Sequence, residues 1–343
     1  MLRNTIHRSI FGFKWWHNDP DCLMLGDTTH LTFQELVSSA SIVGMTSGLL
    51  LLSDDLEQVS KRNMEVAKKI YPVTGVTATC LDLHSSMDSF SNILHLWCSD
   101  NHISNANNTN HDIANAIAIP KHMNYVQVAK NLGTWTIVSL SNWHNQPRVI
   151  STPLRPILPI QNSNTKEILG YHVFAFWSSR YIWIPVPTNH SSPNLSLRLL
   201  SHETEIFIFK PIMKNQPQYI GSTFHFTCGF EIESFRYNTN TIWIHLKNEW
   251  KRSGWVYLFL PGSNNVHAHI VSEREKSKKL LDLELVTKLP HIESNFKDGH
   301  IHDITQTKYL GRVMKFPISM QGQQITEGNT QNEITEVSVC VYF

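Results

Sequence analysis

The amino-terminal part of the chain alternates between helical and strand-like patterns. Apolar residues at helical spacing predict a first helix over residues 2–11. Thr32 and Glu35 have the spacing of a capping box and predict the start of a second helix that ends at Gly48. A third helix is predicted in residues 60–72, between a serine that can cap it and a proline that stops it.

The apolar segments between these helices predict strands. Residues 15–25 are strand-like, although the polar block at residues 18–21 interrupts them. Leu49–Leu52 is a wholly apolar run, which is typical of a strand buried on both faces in a parallel sheet. Strands and helices that alternate at this spacing indicate βαβ units and a right-handed parallel sheet.

The pattern changes in the second third of the chain. Residues 99–124 are rich in asparagine and predict a linker. After Gly133, short β-branched and aromatic runs without intervening helices predict an antiparallel sandwich or barrel. The charged stretch Ser272–Asp282 is expected to be a solvated insertion. The predicted strands are Trp135–Leu140, Val173–Trp177, Glu205–Lys210, Thr223–Thr227, Ile242–Leu246 and Trp255–Leu260.

Composition narrows the class of protein. With 343 residues and 41% hydrophobic residues, the chain can bury a core and is long enough for two domains. A net charge of +1 excludes non-specific nucleic-acid binding, and the longest apolar run, residues 40–52, is too short for a membrane span. The five cysteines form no CxxC pair, which favours a reducing, cytoplasmic location. The basic residues 1–16 fit a mitochondrial transit peptide or, as we favour, an ordinary helix.

Residues 15–23, with the sequence WWHNDPDCL, carry the most informative motif. Two carboxylates beside a proline at the end of a strand stand where (β/α)8 enzymes keep binding residues. The segment resembles the WWxNDPDCLL motif of melibiase-type α-galactosidases, which are glycoside hydrolases with a TIM barrel and a following antiparallel β domain. Further similar segments follow in family order and cover about residues 2–260. They are residues 2–5, the SGLLLLSDDL segment at 47–56, 141–143, the VFAFW segment at 173–177 and the PQYIGSTFHF segment at 217–226.

The resemblance implies a fold and a domain organisation. It implies an α/β partial TIM barrel, consisting of the last two βα units, followed by an antiparallel all-β sandwich domain. Residues 1–75 would be the carboxyl-terminal remnant of the barrel, residues 76–130 a connecting segment and residues 131–343 the β domain. Two barrel strands alone leave unpaired edges, so residues 1–75 are expected to dock on the β domain, self-associate or pair with a complementing chain.

The resemblance also implies a function, the binding of an α-galactoside sugar in a glycoside hydrolase. Asp21 would line the sugar subsite, with Trp16, Cys22 and Asp19 as the other sugar-binding residues, and Asp19 would also order the loop. The catalytic aspartates of the family are expected upstream of Met1, so we assign no catalytic residue and expect no hydrolysis by this chain. Asp19 and Asp21 would lie about 6–7 Å apart on one strand, but nothing there would separate their pKa values as an acid and a nucleophile require.

Several alternatives stay open at this point. The chain could instead be a non-catalytic carbohydrate-binding or interaction β module. The pairs His267 and His269, and His300 and His302, have HxH spacing, but we expect loop histidines and predict no metal and no cofactor. Asp54 and Asp55 are expected to form a turn and cap the next helix. The tryptophans of the β region are expected in the core rather than on a sugar-stacking surface: Trp135, Trp143, Trp177, Trp183, Trp243 and Trp255.

Overall fold

The chain folds into two compact units made mainly of β-sheets. The first unit consists of Met1–Ile212 and Thr223–Phe230, and the second of Met213–Ser222 and Glu231–Phe343. The described part of the chain contains no helix with the length and apolar character needed to cross a membrane. The computed structural model describes residues 2–83, 93–100, 124–159, 168–187, 193–247, 252–262, 266–272, 277–290, 309–320 and 337–342.

Three predicted helices are present in the first unit. Helix α1 spans Leu2–Arg8 and continues as a short 3₁₀ turn. Helix α2 spans Phe33–Thr46, and its capping box is confirmed: Thr32 Oγ1 accepts from Glu35 N, and the Glu35 carboxylate accepts from Thr32 N. Helix α3 spans Lys61–Ile70 and is capped by a serine hydroxyl, as predicted.

The predicted strand at Leu49–Leu52 is wrong. Leu49 and Leu51 are 48% and 46% exposed, and the segment contacts residues 18–23 through an isolated parallel bridge between Cys22 and Leu51 and a single backbone hydrogen bond from Leu49, without forming a strand ladder. A strand buried on both faces needs paired neighbours and layers on either side, and the described residues provide neither here. Residues 15–25 likewise form isolated bridges rather than a strand. The partial TIM barrel is therefore not confirmed.

Gly48 allows a close approach of two backbone segments at this place. A Cβ atom at Gly48 would lie 2.1 Å from the carbonyl oxygen of Asn18, a distance that no side chain tolerates. The same carbonyl oxygen accepts a hydrogen bond from Leu49 N at 3.1 Å. Glycine at this position thus lets the two segments join by backbone hydrogen bonding.

The first unit is centred on a seven-stranded sheet. Its order is β1-β2-β4-β9-β6-β7, and β3 pairs with β2 in the parallel sense; a separate ribbon pairs β5 with β8. The predicted strands at 135–140, 173–177 and 205–210 coincide largely with β4, β6 and β9. The strands are β1 (Thr79–Cys80), β2 (Ile93–Ser99), β3 (Tyr125–Gln127), β4 (Thr134–Ser141), β5 (Arg148–Pro153), β6 (Ile168–Ala175), β7 (Arg180–Ile184), β8 (Asn194–Leu199) and β9 (Thr204–Met213).

Helix α2 docks on the β-structure of the first unit, which is one of the three outcomes expected for the amino-terminal residues. Ser38 Oγ donates to the carbonyl of His202 at 2.6 Å. Trp177 Nε1 donates to Ser41 Oγ at 2.8 Å. Both partners lie in turns that connect strands, so the helix packs on the β-structure of this unit and needs no closed barrel to do so.

The second unit contains two antiparallel sheets. Their orders are β10-β13-β17-β16 and β11-β12-β18-β14-β15, and each neighbouring pair is antiparallel. The predicted strands at 242–246 and 255–260 lie in β12 and β13. The strands are β10 (Gln218–Ser222), β11 (Ile232–Tyr237), β12 (Thr241–Leu246), β13 (Arg252–Pro261), β14 (His267–Ser272), β15 (Ser277–Leu281), β16 (Glu284–Pro290), β17 (Tyr309–Met320) and β18 (Val337–Tyr342).

Two local predictions in the β region are wrong. Thr223–Thr227 forms no strand, because His225 and Cys228 close a backbone turn and the His225 imidazole is hydrogen-bonded to Thr227 Oγ1. The charged stretch expected as a solvated insertion contributes the edge strand β15, in which Leu281 is buried. Residues 273–276 of that stretch and the asparagine-rich residues 101–123 lie outside the described residues.

Candidate functional site

A cavity of about 440 Å³ lies beside helix α1 and the loop that follows it. Asn4 and Arg8, four positions apart and therefore on one face of the helix, supply polar groups from one side. The loop supplies an aromatic ring, an imidazole, an amide and a carboxylate. The lining residues are Asn4, Thr5, Arg8, Trp16, His17, Asn18 and Asp19.

Trp16 gives the cavity an aromatic wall. Its side chain is 42% exposed, and its ring lies 5.1 Å from the ring of Phe11, measured between centroids. Trp15 stacks on the same phenylalanine at 5.0 Å and makes an edge contact with the Trp16 ring at 6.1 Å, but it is 75% exposed and does not line the cavity. The phenylalanine thus supports both indoles, but only one of them faces the cavity.

Asn18 contributes a buried side-chain amide to the lining of the cavity. It is 5% exposed, and its Oδ1 accepts from Trp16 Nε1 at 3.0 Å, which fixes the orientation of the amide. Its Nδ2 has no hydrogen-bond partner among the described residues. Because an unmet buried donor costs about 1–3 kcal/mol, this amide favours a ligand that brings an acceptor.

The two aspartates of the motif order the loop through backbone hydrogen bonds. Asp19 Oδ1 accepts from Asp21 N at 2.9 Å, and Asp21 Oδ1 accepts from Cys22 N at 2.8 Å. Asp21 has a φ of 67°, a left-handed conformation that aspartate tolerates better than most side chains. Of the four residues expected at the sugar subsite, Trp16 and Asp19 line the cavity; Asp21 and Cys22 follow along the chain outside its lining.

Sequence reasoning missed five members of the cavity, of which Asn4, Thr5 and Arg8 lie on helix α1. Asn4 and Arg8 show helical i,i+4 spacing, but no motif links that helix face to the loop. His17 and Asn18 lie inside the informative motif, but the motif was interpreted through its two carboxylates and not through its imidazole and amide. For His17 and Asn18, the sequence signal was their position between a tryptophan and a proline, because the polar groups of such a loop must find hydrogen-bond partners.

The aspartates of the 47–56 segment serve structure. Asp54 Oδ2 accepts from Leu25 N at 2.6 Å and so holds two neighbouring segments together. Asp55 closes a turn, because its side chain accepts from Glu57 N and from Gln58 Nε2. The predicted turn is confirmed, whereas the cap of helix α3 comes from a serine instead.

The tryptophans of the β region divide between core and surface. Trp135 is fully buried, and its Nε1 donates to the carbonyl of Thr227 at 3.1 Å, so its predicted place in the core is confirmed. Trp243 on β12 is 44% exposed, and for it the core prediction is wrong. The other four are half-buried: Trp143, Trp177, Trp183 and Trp255.

The polar side chains of the PQYIGSTFHF segment make hydrogen bonds to other groups of the protein. Glu231 is 3% exposed and accepts from the hydroxyls of Tyr219 and Ser222 within the second unit. In the first unit, the His225 ring is hydrogen-bonded to Thr227 Oγ1 and to the carbonyl of Pro72. These contacts account for the motif without a ligand.

A second buried carboxylate, Glu205, is also structural. It is 7% exposed, and its oxygens accept from the backbone N–H groups of Trp177, Ser178 and Ile206. Burial raises the pKa of this carboxyl above its usual range, and the hydrogen bonds oppose that rise. It fixes the end of the VFAFW segment and does not line the cavity.

Metal-ligating side chains are dispersed in the described part of the chain. No group of three or more histidine, cysteine, aspartate or glutamate residues there could hold a metal ion. His267 and His269 lie on β14, and the His269 ring makes an edge contact with Tyr342 at 5.9 Å. His300 and His302 lie outside the described residues.

No protein-family model matches the chain. Among solved structures, a GH27 β-L-arabinopyranosidase from Geobacillus stearothermophilus is similar over 62% of this chain and 41% of its own, with a TM-score of 0.39 and 11% identity. α-Galactosidase I from Mortierella vinacea is similar over 60% of this chain and 42% of its own, with a TM-score of 0.36 and 13% identity. An α-galactosidase from Saccharomyces cerevisiae, solved with raffinose, is similar over 57% of this chain and 47% of its own, with a TM-score of 0.34 and 13% identity. The chain spans less than half the length of each.

Proposed function

We propose that this chain is the sugar-binding, carboxyl-terminal part of an α-galactosidase-like glycoside hydrolase, and that the cavity between helix α1 and the 15–23 loop binds a terminal α-galactoside. In this proposal residues 1–75 are a barrel remnant, 76–130 a connecting segment and 131–343 the β domain. The observation that carries the proposal is the cavity itself, where the Trp16 ring lies beside the buried Asn18 amide, whose Nδ2 has no hydrogen-bond partner among the described residues, and two groups of opposite charge.

The chemistry of the lining favours a neutral, hydroxyl-rich ligand. Arg8 donates hydrogen bonds and Asp19 accepts them, so a ligand with hydroxyl groups can use both. A phosphate would face the carboxylate of Asp19, and an amine would face the guanidinium of Arg8. The indole of Trp16 supplies an apolar face that matches the C–H face of a pyranose ring.

The same geometry supports binding without hydrolysis. A retaining glycosidase needs two carboxyl groups about 5–5.5 Å apart, one acting as nucleophile and one as acid and base. Asp19 and Asp21 each have an oxygen committed to a backbone N–H, and only Asp19 lines the cavity. We therefore assign loop ordering and sugar contact to Asp19, and loop ordering to Asp21.

The matched pair Trp16→Ala and Trp15→Ala tests the binding site. Both variants remove an exposed indole that packs on Phe11, but only Trp16 faces the cavity. We expect Trp16→Ala to weaken the affinity for methyl α-galactoside at least tenfold in titration calorimetry and Trp15→Ala to change it less than twofold. Equal affinities of the two variants would contradict the proposal.

Hydrolysis is tested separately with an aryl α-galactoside. We expect no release of the aryl group by the wild-type chain above the uncatalysed rate. Turnover that Asp21→Asn abolishes, while Asp55→Asn leaves it unchanged, would show a catalytic dyad and refute this part of the proposal. Asp55 is a suitable control because it is exposed and closes a turn elsewhere.

The alternative, a carbohydrate-binding β module, is supported by one exposed aromatic ring. Trp243 on β12 is 44% exposed in an otherwise well-buried strand. If this ring is the sugar-binding surface, Trp243→Ala abolishes the binding of methyl α-galactoside and Trp16→Ala leaves it intact. The reverse result supports the cavity.

Location and assembly complete the proposal. All five cysteines are free thiols, which supports a cytoplasmic protein. Leu49, Leu51 and Leu56 are 48%, 46% and 52% exposed, which supports self-association or pairing with a complementing chain.

A further inference from the structure

A second cavity, of about 300 Å³, lies in the first unit at the edge of strand β2. Strand β1 pairs with β2 at Leu94–His95, and β3 pairs with it from Trp97 onward, so the partner strand changes at this edge. The cavity opens at that change. Its lining shares no residue with the first cavity and includes Ser9, Thr79, Cys80, His95, Trp97 and Asn124.

Two buried polar atoms on this lining have no hydrogen-bond partner among the described residues: Ser9 Oγ and His95 Nε2. Ser9 is 3% exposed and His95 is 4% exposed. Both residues line the same cavity, although they come from the 3₁₀ turn and from strand β2. Because each unmet group is costly in a buried place, a molecule that satisfies both atoms gains their hydrogen bonds at once.

The protonation state of His95 limits the chemistry of that molecule. Its imidazole is hydrogen-bonded to the backbone carbonyl of Ile157, so the ring nitrogen in that bond carries the proton and Nε2 is left as an acceptor. Burial lowers the pKa of His95 to about 4, which keeps the ring neutral near pH 7. The ligand must therefore bring a hydrogen-bond donor to Nε2.

The remaining lining residues narrow the class further. Lys14 lies on the lining, and no described lining residue carries a carboxylate, so the cavity disfavours a cationic donor. The acceptor nitrogen of His95 disfavours an anion. The ring of Trp97 stands 5.6 Å from the His95 ring, measured between centroids, and supplies an apolar wall.

We propose that this second cavity binds a small, neutral polyhydroxy molecule, with one hydroxyl group donating to His95 Nε2 and another hydrogen-bonded to Ser9 Oγ. Its volume is at the lower end of the range of about 300–1,000 Å³ that is usual for small-molecule sites. The proposal is independent of the sugar site assigned to the first cavity.

The test follows the imidazole nitrogens of His95 by NMR in protein labelled with ¹⁵N-histidine. Glycerol and galactose are titrated separately, so that a short polyol and a pyranose are distinguished. We expect at least one of them to shift the Nε2 resonance of His95 in a saturable way. If neither shifts it, the cavity holds water alone and the proposal is overturned.

Two variants separate this site from the first cavity. In Ser9→Ala, the dissociation constant obtained from the saturable shift is expected to rise about tenfold, because the loss of one hydrogen bond costs about 1.4 kcal/mol. Trp16→Ala is expected to leave the His95 response unchanged, because Trp16 does not line this cavity. A response that Trp16→Ala abolishes comes from the first cavity and would overturn the proposal, and so would an undiminished response in folded Ser9→Ala protein.

Discussion

The substitution Gly48→Ala tests how the 15–23 loop is held. The new Cβ atom would lie 2.1 Å from the carbonyl oxygen of Asn18, and that oxygen must retreat by about 0.9 Å to restore even a 3.0 Å contact. This movement strains or breaks the hydrogen bond from Leu49 N. Overpacking typically costs about 1–3 kcal/mol and a lost hydrogen bond about 1 kcal/mol, so we expect a loss of about 2–4 kcal/mol in the free energy of unfolding.

The same movement displaces the Asn18 side chain, which lines the first cavity. We therefore expect Gly48→Ala to weaken the binding of methyl α-galactoside as well as stability. Urea denaturation measures the first effect and titration calorimetry the second.

Gly75→Ala is the matched control. A Cβ atom at Gly75 meets nothing within 4 Å, and the only cost is that of its positive φ of 71°, about 1–2 kcal/mol. This variant should bind the sugar like the wild type. If Gly48→Ala is no less stable than Gly75→Ala and binds the sugar normally, the proposed close packing of the two segments is refuted.

Three further predictions concern stability and assembly. Burial lowers the pKa of His95 from 6.5 to about 4 in the folded state, so the unfolded chain takes up the proton first as the pH falls. About 3 kcal/mol of stability is therefore lost between pH 6.5 and pH 4, and His95→Gln should remove this part of the pH dependence of urea denaturation. Thr32→Ala removes the cap of helix α2 and should lower the unfolding free energy by about 1 kcal/mol, whereas an unchanged value would show that the cap contributes nothing. Leu49→Lys with Leu51→Lys should shift the sedimentation coefficient towards that of the monomer, and a wild-type protein that is already monomeric at all concentrations would contradict self-association.

The local features of the fold follow from the sequence. The capping box at Thr32 and Glu35 and the serine cap of α3 depend only on residues within one helical turn, and both are found as predicted. Several β-strands were also predictable, because period-2 and β-branched patterns reflect burial of one face or both.

The errors concern features that depend on distant partners. Leu49–Leu52 has the composition of a buried strand, but burial requires neighbours on both sides, and local sequence does not contain them. Trp243 alternates with the buried Ile242 and Ile244 on β12 and so lies on the opposite face of the strand, and the local sequence does not show whether another layer covers that face. Residues 223–227 form a turn instead of the predicted strand, and in that turn the His225 ring is hydrogen-bonded to the Thr227 hydroxyl.

The candidate site was predictable in part for the same reason. The motif indicates the loop, and Trp16 and Asp19 do line the cavity. The other wall comes from helix α1, whose Asn4 and Arg8 meet the loop only after the chain has folded. Asp21 could be placed in the loop from the sequence, but its left-handed backbone could not, since that conformation depends on the hydrogen bonds that its own loop makes.

A crystal structure of the protein with methyl α-galactoside tests the proposed sugar site. We predict electron density for the sugar in the cavity beside helix α1, with its ring against Trp16 and a sugar oxygen accepting from Asn18 Nδ2. Density for the sugar on the exposed Trp243 ring, with the first cavity holding solvent alone, would refute this site.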